Sequence, residues 1–164
     1  MKLLDTSCLS LFILEIPKYG FLHELYELNE SLNITQYVKE EFEKKDKLNL
    51  LDEYLINDMI STETVNYDPL LKVKYPFLGD GELSIIQWGL NLDGNTKYCC
   101  ILDDLNARNV AKTLKLSFSG SIGLIIKLKN KNNYSLKKID EIINDIDKST
   151  FRIDRNILNK IKSD

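Results

Sequence analysis

"YCCILDDLNARNVAKTL", residues 98–114, sets an apolar run directly against two carboxylates, Asp103 and Asp104, and then opens an amphipathic helix. Ala107, Val110, Ala111 and Leu114 fall at i, i+3, i+4 and i+7, the spacing of one helical face. The run before them is too short for a helix and is flanked by polar residues, which predicts a strand buried on both faces of a parallel sheet. N-capping accounts for one aspartate, because its carboxylate accepts hydrogen bonds from the free N–H groups of the first turn. It leaves the other without a task.

The same step recurs along the chain. "KLLD" (2–5) and "LNIT" (32–35) are further short apolar runs with polar flanks. Leu83, Ile86 and Leu90 form a helical stripe behind the turn "LGDG", with Asp80 placed as its N-cap, and Leu136, Ile139, Ile143 and Ile146 form another with one slip. Strands alternating with helices predict an α/β fold with a parallel sheet. The last forty or so residues are rich in Lys, Asn and Ile and carry two further helices, starting near Ser135 and near Asp154. With 164 residues, 43% hydrophobic, and no internal repeat or low-complexity linker, the expectation is one domain over 1–164 with these helices packed on it.

Composition narrows the function. Lys plus Arg number 22 against 25 Asp plus Glu, a net charge of −3, so the surface as a whole does not advertise nucleic-acid binding. No apolar stretch is long enough to cross a bilayer, and "MKLLDTS" lacks a signal-peptide core, which points to a cytoplasmic protein with no membrane partner. Cys8, Cys99 and Cys100 have no paired spacing and read as small buried hydrophobes. The apolar and aromatic content of "SLFILEIPKYGFLHELYEL" (10–28) exceeds what one helix needs against its own sheet, and predicts a homodimer contact.

In open parallel sheets, ligands collect at the carboxyl ends of the strands, near the point where strand order reverses. Asp5 ends the first strand, and Asp103 and Asp104 end a later one. Glu40 and Glu41 lie about one turn into the helix after "LNIT", and Glu82 lies in the first turn after "GDG". Four segments thus bring carboxylates to one edge, where they would repel one another unless a hard cation such as Mg²⁺ or Mn²⁺ is shared.

These blocks resemble a known family. "LLDTSCL" (3–9) looks like the opening strand of the PIN nuclease domain, "ITQYVKEEF" (34–42) like its second strand and acid-bearing helix, and "GDGELSII" (79–86) like the Gly-Glu helix start of one branch. "LDDLNARNVAKTLKLSFSGSIGLI" (102–125) and the tail "YSLKKIDEIINDIDKSTFRIDRNILNKI" (134–161) resemble a toxin-related PIN subgroup that ends in a pair of helices. The resemblance implies a three-layer α/β/α fold, a central parallel sheet of about four to five strands and a C-terminal helical extension. It puts Asp5, Glu41, Glu82 and Asp103 at the catalytic metal site, with Asp104 as the alternative to Asp103. Val38 sets the Val-x-x-Glu register that selects Glu41 over Glu40, and Ser7 takes the supporting polar position. The implied activity is RNA phosphodiester hydrolysis with Mg²⁺ or Mn²⁺, in the toxin of a toxin–antitoxin pair, whose partners would be RNA, an antitoxin and a second copy of the chain. The family's basic stretch after the aspartate pair is replaced here by Leu105, Asn106 and a lone Arg108.

Other readings compete with these. A catalytically degenerate PIN fold serving as a binding or scaffold module keeps the architecture without the chemistry. A receiver-type or nucleotide-binding domain would need a lysine after a late strand and a Ser or Thr at an adjacent strand end, and "LKLSFSG" and "KYCCILDD" do not offer both. "SGSIG" (119–123) reads as a tight strand-to-helix turn, Arg108 as a helix-face ion-pair partner, His23 as a surface residue, and Trp88 and the tyrosines as packing.

Overall fold

In a computed structural model, which describes residues 1–163, five short strands form one parallel sheet: β1 (Lys2–Leu4), β2 (Leu32–Thr35), β3 (Ile60–Glu63), β4 (Cys99–Ile101) and β5 (Phe118–Ser119). Their order is β3-β2-β1-β4-β5. Strand order therefore reverses between β1 and β4, which pair as Lys2 with Cys99, Leu3 with Cys100 and Leu4 with Ile101. Helices flank the sheet as a three-layer α/β/α sandwich. They are α1 (Thr6–Leu9), α2 (Phe21–Glu27), α3 (Gln36–Glu43), α4 (Leu51–Ile56), α5 (Pro69–Lys74), α6 (Asp80–Asn91), α7 (Leu105–Thr113), α8 (Ser121–Asn132), α9 (Leu136–Lys148) and α10 (Arg155–Ser163).

The central strands are buried on both sides, with Leu3, Leu4, Ile34, Cys100 and Ile101 all inaccessible to solvent. That is why they read as unbroken apolar runs rather than alternating ones. The expected C-terminal pair is present as α9 and α10, and α10 packs on both α8 and α9.

Two expectations are corrected. Gly79, not Asp80, is the N-cap of α6; Asp80 lies in its first turn, where it accepts from the Tyr67 hydroxyl and pairs with Lys72 at 3.2 Å. Most of the apolar surplus at 10–28 is core rather than an exposed face, Tyr26 being the exposed exception. After α1 the chain widens into a π-helix over Ser10–Glu15, with Ile16 N–H donating to Leu11 C=O at 3.0 Å. Leu11, Phe12, Ile13, Ile16, Phe21, Leu22 and Leu25 are all buried. Consecutive buried side chains mark a segment covered on more than one side, which needs no partner to hide it.

Candidate active site

Asp5 stands where β1 passes into α1, and Asp103 follows β4, so the two neighbouring strands on either side of the order reversal each end in an aspartate. This is the crevice where the sheet offers room for a ligand. The Asp5 side chain makes no capping hydrogen bond to α1 and is only 2% exposed. Its carboxyl is pushed up to about 7, first by burial and then by the charges of Glu82, Asp103 and Glu41, against the nearby Thr6 N–H. Three acids from three other segments therefore act on this one carboxyl.

Each of those acids is held from behind. Glu41, on α3, accepts from the Thr6 hydroxyl at 2.7 Å and from Gly81 N–H, in the first turn of α6, at 3.1 Å. Glu82 accepts from Gly79 N–H at 2.9 Å, and its carboxyl is raised by burial and by the charges of Asp104 and Glu41. Asp103 accepts from Ser121 N–H at 2.8 Å and from the Ser121 hydroxyl at 2.5 Å, at the start of α8. Burial raises its carboxyl too, with Ser121 and Arg108 acting against the rise. Helix N-termini point free N–H groups and a partial positive charge outward, so α6 and α8 suit carboxylates as anchors.

The adjacent aspartates divide their tasks. Asp104 is the cap, its Oδ1 accepting from Ala107 N–H at 2.9 Å as α7 begins. Asp103 is turned away from α7 toward α8, so the pair serves two different helices.

Two glycines are required by these approaches. A Cβ on Gly81 would stand 2.6 Å from Glu41 Oε2, and one on Gly120 would stand 2.8 Å from Asp103 Oδ1. Gly81→Ala and Gly120→Ala are therefore expected to destabilise the protein by ~1–3 kcal/mol through overpacking. Gly94→Ala, with nothing within 4 Å, is the control. Urea titrations that place all three variants together would contradict this account.

Glu40 is exposed beside the inward-facing Glu41. Ser7 makes no hydrogen bond to Asp5 among the described residues and instead lines a cavity next to Asp103; within α1 it is the Thr6 hydroxyl that supports an acid, Glu41. Ser121 is a site residue that sequence reasoning misses, and the Gly-Ser at the head of the "SGSIG" helix is its only signal. Gly120 is indeed the turn from β5 into α8. Arg108 has no ion-pair or hydrogen-bond partner among the described residues and lies over the Phe118 ring, 5.9 Å from its centroid. His23 is on the surface, 3.9 Å from Glu53. Cys8, Cys99 and Cys100 are free thiols.

Among the described residues no three His, Cys, Asp or Glu side chains are grouped tightly enough to hold a metal ion between them. The donor set is nevertheless all carboxylate oxygen, the chemistry Mg²⁺ and Mn²⁺ take, and among the described residues the Asp5 carboxyl makes no capping bond to its helix. The residues fit such an ion in kind. No described helix is long and apolar enough to cross a membrane.

No curated protein and no solved structure gives a match to the chain. A family model described as a PIN domain matches residues 1–164. Members of that family are generally nucleases, and those nucleases typically use divalent metals. With its reversed-order sheet and acid-ended strands matched over the whole length, this chain belongs to the PIN-domain family.

Proposed function

We propose that the chain, acting as one domain over residues 1–164, is a Mg²⁺- or Mn²⁺-dependent endoribonuclease and the toxin of a toxin–antitoxin pair in the cytoplasm. The observation that carries the reading is Asp5: a buried carboxyl raised to about 7, with Glu82, Asp103 and Glu41 all adding to the rise. An arrangement so unfavourable in isolation is explained by a cation that the acids share.

Asp5 and Asp103 would be its central ligands, with Glu41 and Glu82 helping to hold it and Asp104 in reserve. When bound, such a cation supplies an activated water and neutralises charge on the scissile phosphate. The protein's own part is orientation. Ser121 fixes both oxygens of Asp103, and Thr6 with Gly81 fixes both oxygens of Glu41, so neither acid needs to reorganise as the reaction proceeds. Single-stranded or looped RNA is the substrate, because a duplex keeps its strands out of a crevice of this kind. RNA cleavage with Mg²⁺, with Mn²⁺ and with EDTA tests the activity, and the degenerate-scaffold reading takes its place if no condition cleaves.

The partners belong to the same reading. With most of the apolar side chains of 10–28 buried, the apolar surface left for an antitoxin or a second copy includes Leu70, Val73 and Phe77, which are 70%, 77% and 59% exposed. A homodimer is expected at tens of micromolar, roughly where an interface of standard size holds, and light scattering at that concentration decides it: a monomer counts against the dimer.

A further inference from the structure

A cavity of about 710 Å³ adjoins Asp103 and Asp104, roofed by the segment 150–154 and by α10. The roof is tied down where Thr150 donates to Glu15 through both its N–H, at 3.2 Å, and its hydroxyl. The floor is apolar, with Leu11, Ile122 and Ile126 lining it, and Ile157 adds an apolar side chain from the roof.

Four cations line this space: Lys45, Arg108, Arg152 and Lys160. None of them has an ion-pair partner within 4 Å among the described residues, whereas Lys2, Lys18, Lys39, Lys72, Lys127, Lys138, Arg155 and Lys162 elsewhere all do. The cavity's carboxylates outside the acidic centre are occupied differently. Glu15 holds Thr150, and Asp154 accepts from Asn156 N–H at 2.7 Å as α10 starts. In a chain of net charge −3, free positive charge is thus gathered beside the acids.

We infer that this cavity is a nucleotide subsite: it takes the base and sugar of the nucleotide next to the scissile phosphodiester on its apolar floor, while the four cations hold the flanking phosphates. The C-terminal extension is then a substrate-binding element rather than a structural appendage. The volume lies in the range of cavities that enclose ligands of drug size, and a splayed base with its ribose is of that size. The basic contacts that Arg108 alone does not supply in sequence are provided in space by the turn that follows α3, the 150–154 roof and α10. This inference rests on the ribonuclease reading, but its test does not.

The test is binding without cleavage: fluorescence anisotropy of a short, labelled single-stranded RNA with the full chain in EDTA, over a range of salt. Removing one cation that touches a phosphate lowers the slope of log affinity against log salt by about 0.7 for a single strand. Arg108→Gln combined with Lys160→Gln should therefore lower the slope by about 1.4 and weaken binding at least tenfold. Lys97→Gln, ahead of β4 at the opposite end of the sheet, should change neither. Ile126→Trp, which fills the floor, should weaken binding while leaving the salt slope as it was. A duplex RNA of the same length should bind more weakly than the single strand. Thermal melts show that each variant is folded before it is compared. Unchanged slope and affinity in the Arg108/Lys160 variant, or equal binding of duplex and single strand, overturns the subsite. Binding that follows the cavity in a protein that cleaves nothing leaves the subsite standing and removes only the nuclease reading.

Discussion

Asp5→Asn lowers RNA cleavage on the order of 10³-fold or more while the fold stays intact, the scale at which one preorganised electrostatic group acts on a transition state. Asparagine keeps the size of the side chain and loses the charge a hard cation needs. Asp103→Asn should behave alike. Its amide oxygen still accepts from Ser121 N–H, and the Ser121 hydroxyl can turn to accept from its NH₂, so the contacts survive and the charge does not. Asp104→Asn is the informative third variant, because asparagine caps a helix about as well as aspartate. It should retain most activity. Cleavage in EDTA, or full activity in both Asp5→Asn and Asp103→Asn, would falsify the metal-dependent mechanism; loss in Asp104→Asn alone would move the ligand role to Asp104.

The second large effect needs no substrate. The folded protein keeps the Asp5 proton up to about pH 7, and an ordinary aspartate gives it up near 3.8. Between those values the folded state binds more protons than the unfolded one, so metal-free stability falls as pH rises through this window and levels off above it. Glu82 and Asp103 are shifted in the same direction and add to the fall. At ~1.4 kcal/mol per pK unit, removing the Asp5 charge should raise the unfolding free energy at pH 8 by a few kcal/mol. Denaturant titrations of wild type and Asp5→Asn in EDTA at pH 5 and pH 8 check this: the gain should be clearly larger at pH 8 than at pH 5. Mn²⁺ should then stabilise wild type with the logarithm of its concentration, and the variant much less. A variant less stable than wild type at pH 8, or one that Mn²⁺ stabilises equally, contradicts a shared charge cluster around Asp5.

The sequence discloses the centre of this fold better than its margins. β1, β2 and β4 are inner strands whose apolar runs follow from burial on both faces, and the acids that follow β1 and β4 are visible in the sequence. β3 and β5 are edge strands. "ISTE" buries only Ile60 and "FS" is two residues long, so neither carries a period to detect. The helix from Leu105 is legible because its stripe faces one layer. The stretch 10–28 misleads because a π-helix followed by a short 3₁₀ turn buries residues on more than one side, and an excess over one stripe looks the same whether a partner or the protein's own core covers it. At the site, which residues carry charge is readable and what holds them is not. Ser121 and Gly81 act through backbone N–H groups at helix starts far along the chain from their acids, and such contacts leave no spacing. The four free cations are hidden for the same reason: they lie at 45, 108, 152 and 160, and a patch assembled from so many segments never appears as a basic run.

Cys8 gives the site a property that its charges alone would not. The thiol is wholly buried in α1, and burial, then the carboxylates of Asp103 and Asp5, push its ionisation well above the ordinary range. Thiolate is the form that oxidants and electrophiles attack. A sulfur placed beside the acidic carboxylates is thereby kept in its unreactive thiol form, and the more accessible thiol is the half-buried Cys99 at the far end of β4.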